Sequence, residues 1–209
     1  MNKVNSFFKT LKYSIYVMFH PFKGFWDIKQ YNAANCGSAT FISLLFALVV
    51  IMRCQFTGFI FNYNNVLEVN VFLLFLSVII PITLWVISNW AITTLVDGEG
   101  KMRDIFIATA YSLTPYIIIS FGLIILSNFL IADEASFYYL FDTIGIIWSA
   151  FLLIIGMMTV HQFFFGKTVL TVILAVITMI VIIFMILLFA SLMQQIINFV
   201  LLLIYEVSQ

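Results

Sequence analysis

The chain has 209 residues, of which 64% are hydrophobic and 9% are charged, and its nine basic residues balance nine acidic ones. An ordinary soluble domain is about one quarter charged, so this composition excludes most folds that surround a core with water. A neutral total without a basic or acidic block also argues against nucleic acid as a partner. We therefore predict an all-α integral membrane protein, because helices satisfy their own backbone hydrogen bonds within lipid.

The N-terminal segment, residues 1–30, is predicted to lie at the membrane interface. Apolar residues recur at helical spacing between Val4 and Met18, whereas Lys9 and Lys12 fall elsewhere, which is typical of an amphipathic interfacial helix. This helix should end near His20, because the residue before a proline is displaced from the α region. The segment either anchors the first span or offers a face to a partner. Its lysines interrupt the apolar run, so we do not expect a signal peptide.

Five segments with almost no charge are predicted to cross the bilayer, because each has the roughly 20 apolar residues that a span requires. They are residues 36–58, 70–96, 105–132, 142–165 and 168–193. Residues 194–209 either extend the fifth helix beyond the bilayer or lie along its surface. Residues 1–209 are thus expected to form a single membrane domain.

Two charged residues at the borders of these spans carry specific expectations. The long side chain of Arg53 is expected to reach the interface from the end of the first span. Asp142 is expected to begin the fourth span, where a carboxylate suits the positive end of the helix dipole.

The basic residues predict the orientation. Eight of the nine fall on the side of the N-terminus, and only Arg53 falls on the other, together with Glu68, Asp133 and Glu134. Because cytoplasmic segments are enriched in lysine and arginine, the N-terminus is predicted to be cytoplasmic and the C-terminus to lie outside.

The sequence contains no recognisable catalytic motif. His20 and His161 are the only histidines and are far apart in the chain, so no metal site, cofactor or enzymatic activity is expected. Cys36 and Cys54 flank the first span, about 27 Å apart along a helix, so no disulfide can join them there.

Polar residues near two prolines form the first candidate site. Pro81 and Pro115 should bend the second and third spans, because a proline removes one helical hydrogen bond. The candidate intramembrane polar site consists of Asn89, Thr93, Tyr111, Ser112 and Pro115. Such residues either pack helices together or line a groove for a lipid headgroup, a solute or a partner helix. No span carries a charge near its middle, which argues against ion transport.

The second candidate site is the charged hairpin, residues 97–104, which connects the second and third spans. It is the most densely charged segment of the chain, and its default interpretation is a solvated turn. A short charged loop is also a place where a partner could dock. The candidate partner-binding residues are Asp97, Glu99, Lys101 and Arg103.

Several motifs together resemble the prokaryotic branch of the Yip1 family. They are Asn89-Trp90, Asp97-Gly98-Glu99-Gly100, the run from Ile107 to Tyr116 and the N-terminal run from His20 to Asp27. Tyr111-Ser112-Leu113 followed by Pro115 is the most specific of them, and the resemblance covers nearly the whole chain. It implies five spans and a cytoplasmic N-terminus.

The resemblance also bears on partners and location. Eukaryotic members of the family are Golgi and endoplasmic reticulum proteins that associate with Rab GTPases and with one another. They carry an Asp-Leu-Tyr-Gly-Pro motif in a longer N-terminal region, and this chain has no such motif. Binding of Rab-type GTPases is therefore not expected, and a bacterial plasma membrane is the expected location.

The functional hypothesis is a non-enzymatic membrane protein that acts as an adaptor or scaffold. Its expected partners are membrane lipids and either other membrane proteins or further copies of itself. The alternative hypothesis is a small permease or lipid-handling protein with its polar site at the kinks of spans two and three.

Overall fold

The computed structural model describes residues 3–62 and 69–207, which form eight α-helices and a short 3-10 helix. No β-strand occurs in these two ranges, and the all-α prediction is confirmed; Glu68 lies outside the described residues. The helices are α1 (Lys3–Phe19), α2 (Pro21–Tyr31), α3 (Cys36–Phe56), α4 (Val71–Leu95), α5 (Met102–Ser112), α6 (Thr114–Leu126), α7 (Ala135–His161) and α8 (Phe165–Val207), and Ala132–Glu134 forms the 3-10 helix.

Five helical segments are long and apolar enough to cross a bilayer, which is the predicted number. They are Cys36–Phe56, Val71–Leu95, Met102–Leu126, Ala132–His161 and Phe165–Tyr205. The chain is an integral membrane protein. Side-chain caps mark the starts of the first two of these helices: Asn35 caps α3 and Asn70 caps α4.

The N-terminal segment contains two helices. α1 ends at Phe19, as expected from the proline, and Pro21 occupies the first turn of α2, where its missing N–H costs nothing. α2 packs on α7 through Phe25, which is fully buried against Gly156. A second contact with this segment fixes α1, because the Tyr111 hydroxyl donates to the Thr10 carbonyl at 2.8 Å.

The third span is broken at Leu113 into α5 and α6, because Pro115 lies in the first turn of α6. The span ends at Leu126, earlier than the predicted residue 132. Ser127 is the residue at this end: its hydroxyl donates to the Ile124 carbonyl and accepts from the N–H of Gly58, beyond the end of α3.

The predicted start of the fourth span at residue 142 is wrong, because α7 begins at Ala135. Asp142 lies two turns inside the helix, where its carboxylate is 2.7 Å from the Arg53 guanidinium. Arg53 lies in the last turn of α3, and its guanidinium is paired with Asp142. Because each charge is compensated by the other within the bundle, neither residue has to lie at the end of a span.

The fifth span continues as α8 to Val207, so it does not turn back along the surface after residue 193. Its 43 residues measure about 64 Å, roughly twice the hydrocarbon thickness of a bilayer. The first part of α8 packs on α4, and Ala175 is completely buried. From Ile183 to Tyr205 every residue is exposed.

Candidate functional site at the charged hairpin and the helix kinks

The charged hairpin folds back over the end of α7. Asp97 adopts a left-handed backbone conformation with φ of 56°, and the N–H of Gly98 donates to the Thr93 carbonyl at 2.8 Å. The backbone then passes so close to His161 that a Cβ on Gly100 would lie 2.5 Å from the imidazole Cε1, and one on Gly98 would lie 2.9 Å from Nδ1. Glycine is required at both positions because the backbone approaches the His161 ring too closely for a side chain, not because the chain must be flexible there.

A buried polar pair lies beneath the charged hairpin. His161 Nε2 is 3.0 Å from Asn89 Oδ1, and the two residues are 2% and 1% exposed. In this orientation the amide oxygen accepts, so Nε2 carries the imidazole proton. The hydroxyl of Thr93 donates to the backbone carbonyl of Asn89 at 2.7 Å, next to this pair. Within the described ranges, neither His161 Nδ1 nor Asn89 Nδ2 has a hydrogen-bond partner.

Two lysines from distant parts of the chain clamp the charged hairpin. Lys29 of α2 donates to the Val160 carbonyl at 2.6 Å and pairs with the Glu99 carboxylate at 3.1 Å. Lys167 of α8 donates to the Val96 carbonyl at 2.8 Å, and its ammonium lies 4.0 Å from the centre of the Phe163 ring. Both lysines thus satisfy carbonyls at the ends of α4 and α7, where cations are also favoured by the helix dipoles.

All four candidate partner-binding residues present exposed side chains. Asp97, Glu99, Lys101 and Arg103 are exposed. Glu99 remains 67% exposed at its side chain although it is paired with Lys29. The structure therefore combines a backbone held by buried contacts with charged groups that are free to meet another surface.

The residues of the candidate intramembrane polar site do not form one cluster but lie in separate parts of the bundle. Asn89 and Thr93 belong to the buried pair beneath the charged hairpin. Tyr111 instead lies where α1, α3 and α5 meet, with its hydroxyl 2.8 Å from both the Ser38 hydroxyl and the Thr10 carbonyl. Ser112 donates to the Thr109 carbonyl at 2.7 Å, and Pro115 is buried at the start of α6.

A cavity of about 300 Å³ lies at the two kinks, and we call it the kink cavity. It is lined by residues of α4, the α5–α6 break, α7 and α8, including Pro81, Trp85, Ser112, Ser149 and Met179. Its walls are mainly apolar, and its polar groups are largely occupied. Trp85 donates to the Thr109 hydroxyl at 3.1 Å, and the Ser149 hydroxyl accepts from the N–H of Tyr116 at 3.2 Å.

A further polar cluster lies at the opposite end of the bundle. Arg53 bonds to Asp142 at 2.7 Å and to the Tyr138 hydroxyl at 3.2 Å, and the Tyr116 hydroxyl accepts a third hydrogen bond from it. Sequence reasoning missed this cluster. The available signal was that Arg53 and Asp142 are opposite charges at the same predicted end of two neighbouring spans.

Sequence reasoning also missed His161, which it treated as an isolated histidine. Its partner Asn89 is 72 residues away in the chain, so no local spacing joins them. The two glycines of the charged hairpin were the available signal, because glycine is needed where backbone approaches a bulky ring. Across residues 3–62 and 69–207, no three His, Cys, Asp or Glu side chains are grouped closely enough to hold a metal ion.

Compared with models of known protein families, the chain matches the Yip1 domain over residues 15–204. The chain belongs to the Yip1 family. Comparison with curated proteins and with solved structures gave no significant match. The Yip1 domain includes all five spans, the charged hairpin and α2, so both candidate sites are part of the family's domain rather than additions to it.

Proposed function

We propose that this Yip1-family protein is a non-enzymatic membrane adaptor that binds another membrane protein through the charged hairpin. The observation that carries the proposal is the clamped backbone of this segment beneath four exposed charges. A surface that is already ordered loses little conformational entropy when it binds. Two acidic and two basic side chains on one short segment suit a partner of complementary charge pattern, because such patterns determine specificity.

The long exposed part of α8 supports the same function. Every residue from 183 to 205 of this mainly apolar helix is exposed, and the helix is longer than one bilayer crossing requires. A helix of this kind can pack on a helix of another membrane protein or of a second copy. The kinked spans are less suited to that role, because the polar groups around the kink cavity are mostly bonded within the chain.

The proposed location is a bacterial plasma membrane, with the charged hairpin in the cytoplasm and the C-terminus outside. Lys29, Lys167 and the charged hairpin meet at one end of the bundle, and Arg53 lies at the other. This distribution supports a cytoplasmic hairpin, because basic residues are enriched on that side of membrane proteins. We do not propose binding to Rab-type GTPases.

Affinity capture from membranes solubilised in mild detergent tests the adaptor function. The test variant changes Asp97, Lys101 and Arg103 to alanine and keeps Glu99, so that its ion pair with Lys29 still holds the backbone. We expect this variant to lose a partner that the wild-type protein retains. The control variant Lys23→Ala/Asp133→Ala removes exposed charges elsewhere and should retain the partner. Recovery of no specific partner, or equal recovery by the triple variant, would contradict the proposal.

The kink cavity supports a second candidate function, the handling of a small amphipathic molecule. Its volume of about 300 Å³ is at the lower end of the range for ligand sites. Proteoliposomes test this function through movement of solutes or fluorescent lipids across the bilayer. The substitution Ser149→Leu should reduce such movement by filling the cavity, and an absence of movement with wild-type protein would exclude this function.

A further inference from the structure

Two apolar grooves flank the middle of α1. The first has a volume of about 440 Å³ and lies between α1, α3 and α6, with Leu11, Leu45 and Ile117 among its walls. The second has a volume of about 520 Å³ and runs along α1 past Tyr13, Tyr16 and Phe19. Lys12 and Ile15 line both grooves, so these two residues form the ridge that separates them.

The charge on α1 has a single sign. Residues 3–19 contain no Asp or Glu, and Lys9 and Lys12 are exposed without an ion pair among the described residues. They differ in this respect from Lys29 and Lys167, whose ammonium groups are bonded within the chain. Lys9 lines the second groove and Lys12 lines both, so each groove has an unpaired cation at its edge.

Among the described residues, the Asp27 carboxylate forms no ion pair with either lysine. The Tyr13 hydroxyl donates to Asp27 at 3.0 Å. Burial, and then the bond to Asp27, raise the pKa of Tyr13, so its hydroxyl remains a neutral donor at physiological pH. Together with the bond from Tyr111 to the Thr10 carbonyl, this contact holds α1 against the bundle.

We propose that α1 forms a binding site for an anionic phospholipid. One acyl chain lies in each groove, on either side of Ile15, and the phosphate group contacts Lys12 and Lys9. Two apolar channels that share a basic ridge match the two chains and the negatively charged headgroup of one glycerophospholipid. Positively charged side chains beside a bilayer attract anionic lipids. The site is separate from the charged hairpin, so it goes beyond the adaptor function and does not depend on it.

Native mass spectrometry of the purified protein tests this site with two lipids of identical chains, dioleoyl phosphatidylglycerol and dioleoyl phosphatidylcholine. We expect the wild-type protein to retain phosphatidylglycerol preferentially. Lys9→Gln/Lys12→Gln should reduce its retention roughly 25-fold, because each lysine near an anionic lipid contributes a factor of about five. The single substitution Lys12→Gln should reduce retention about fivefold, whereas the control Lys23→Gln removes the same charge elsewhere and should retain the lipid.

A second variant tests the grooves without changing any charge. Leu45→Trp should fill the groove between α1, α3 and α6 and reduce the retention of phosphatidylglycerol, while the lysines remain in place. Equal retention of both lipids by wild-type protein would overturn the proposal. Equal losses from Lys12→Gln and Lys23→Gln would also overturn it, since binding would then reflect total charge. A polypeptide cross-linked to a photoreactive residue at position 45 would show that a protein helix occupies the groove instead.

Discussion

At the scale of single residues, the charged hairpin depends on its glycines, which have no side chain to clash with His161. Gly100 is buried against the edge of the His161 imidazole, and that imidazole is fixed from the other side by Asn89. The ring has little room to move, because Phe163 lies on it with a centroid separation of 5.5 Å. A methyl group at position 100 would therefore have to displace either the backbone or the buried pair.

Gly100→Ala should destabilise the protein by about 1–3 kcal/mol, which is typical of overpacking in a dense site. Thermal unfolding in detergent measures this change. Gly122→Ala is the matched control, because a Cβ at Gly122 in α6 meets nothing within 4 Å. Alanine should stabilise that helix slightly. If both variants unfold at the wild-type temperature, the contact between Gly100 and His161 is not important for stability.

The ion pair between Arg53 and Asp142 gives a second prediction at this scale. Each side chain is 20% exposed, so removing one partner leaves a largely buried charge without compensation. Arg53→Met and Asp142→Leu should each cost about 2 kcal/mol or more in stability. The double variant Arg53→Met/Asp142→Leu should recover part of this loss, because no unpaired charge remains. Denaturation in detergent provides the measurement, and additive losses would exclude a direct coupling.

At the scale of elements, helix starts and breaks differ in how well the sequence predicts them. The break at Leu113 and the end of α1 follow from prolines, which act through local geometry. The start of α7 was missed because Asp142 resembles a polar border, whereas its charge is compensated by Arg53 on α3. The buried pair under the charged hairpin was missed for the same reason, since contacts between distant residues leave no periodic pattern.

The outer part of α8 leads to a prediction for a whole element. Deletion of residues 194–209 should change the unfolding temperature very little, because every residue from 194 to 205 is exposed. Deletion from Thr171 onward should destabilise the protein strongly, since it removes the buried Ala175 and the contact with α4. Thermal unfolding of both truncated proteins compares them. A large loss from the shorter deletion would show that the end of α8 folds back on the bundle.

At the scale of the whole molecule, the arrangement of charges distinguishes the two ends of the bundle. The end with the charged hairpin uses Lys29 and Lys167 to close helix ends, and it keeps Lys101 and Arg103 exposed. The other end uses its arginine internally and exposes Asp133 and Glu134. The protein therefore has a basic end and an acidic end although its total charge is zero.

This asymmetry predicts the orientation of the protein in a cell. In a background of Cys36→Ser/Cys54→Ser, a cysteine introduced by Asp133→Cys should react with a membrane-impermeant maleimide on intact cells. One introduced by Lys101→Cys should react only after the membrane is opened. Gel electrophoresis after labelling measures which of the two cysteines has reacted. The opposite pattern of labelling would place the charged hairpin outside the cell.

The clamp around the charged hairpin also has a consequence for biosynthesis. During translation, Lys29 is synthesised before the first span and Lys167 after the fourth. The charged hairpin needs both lysines for its final conformation. A nascent chain therefore cannot complete this surface until the last helix has begun to insert. Chains that stop before Lys167 lack the finished surface, so a partner that recognises it would distinguish them from chains in which the last helix has begun.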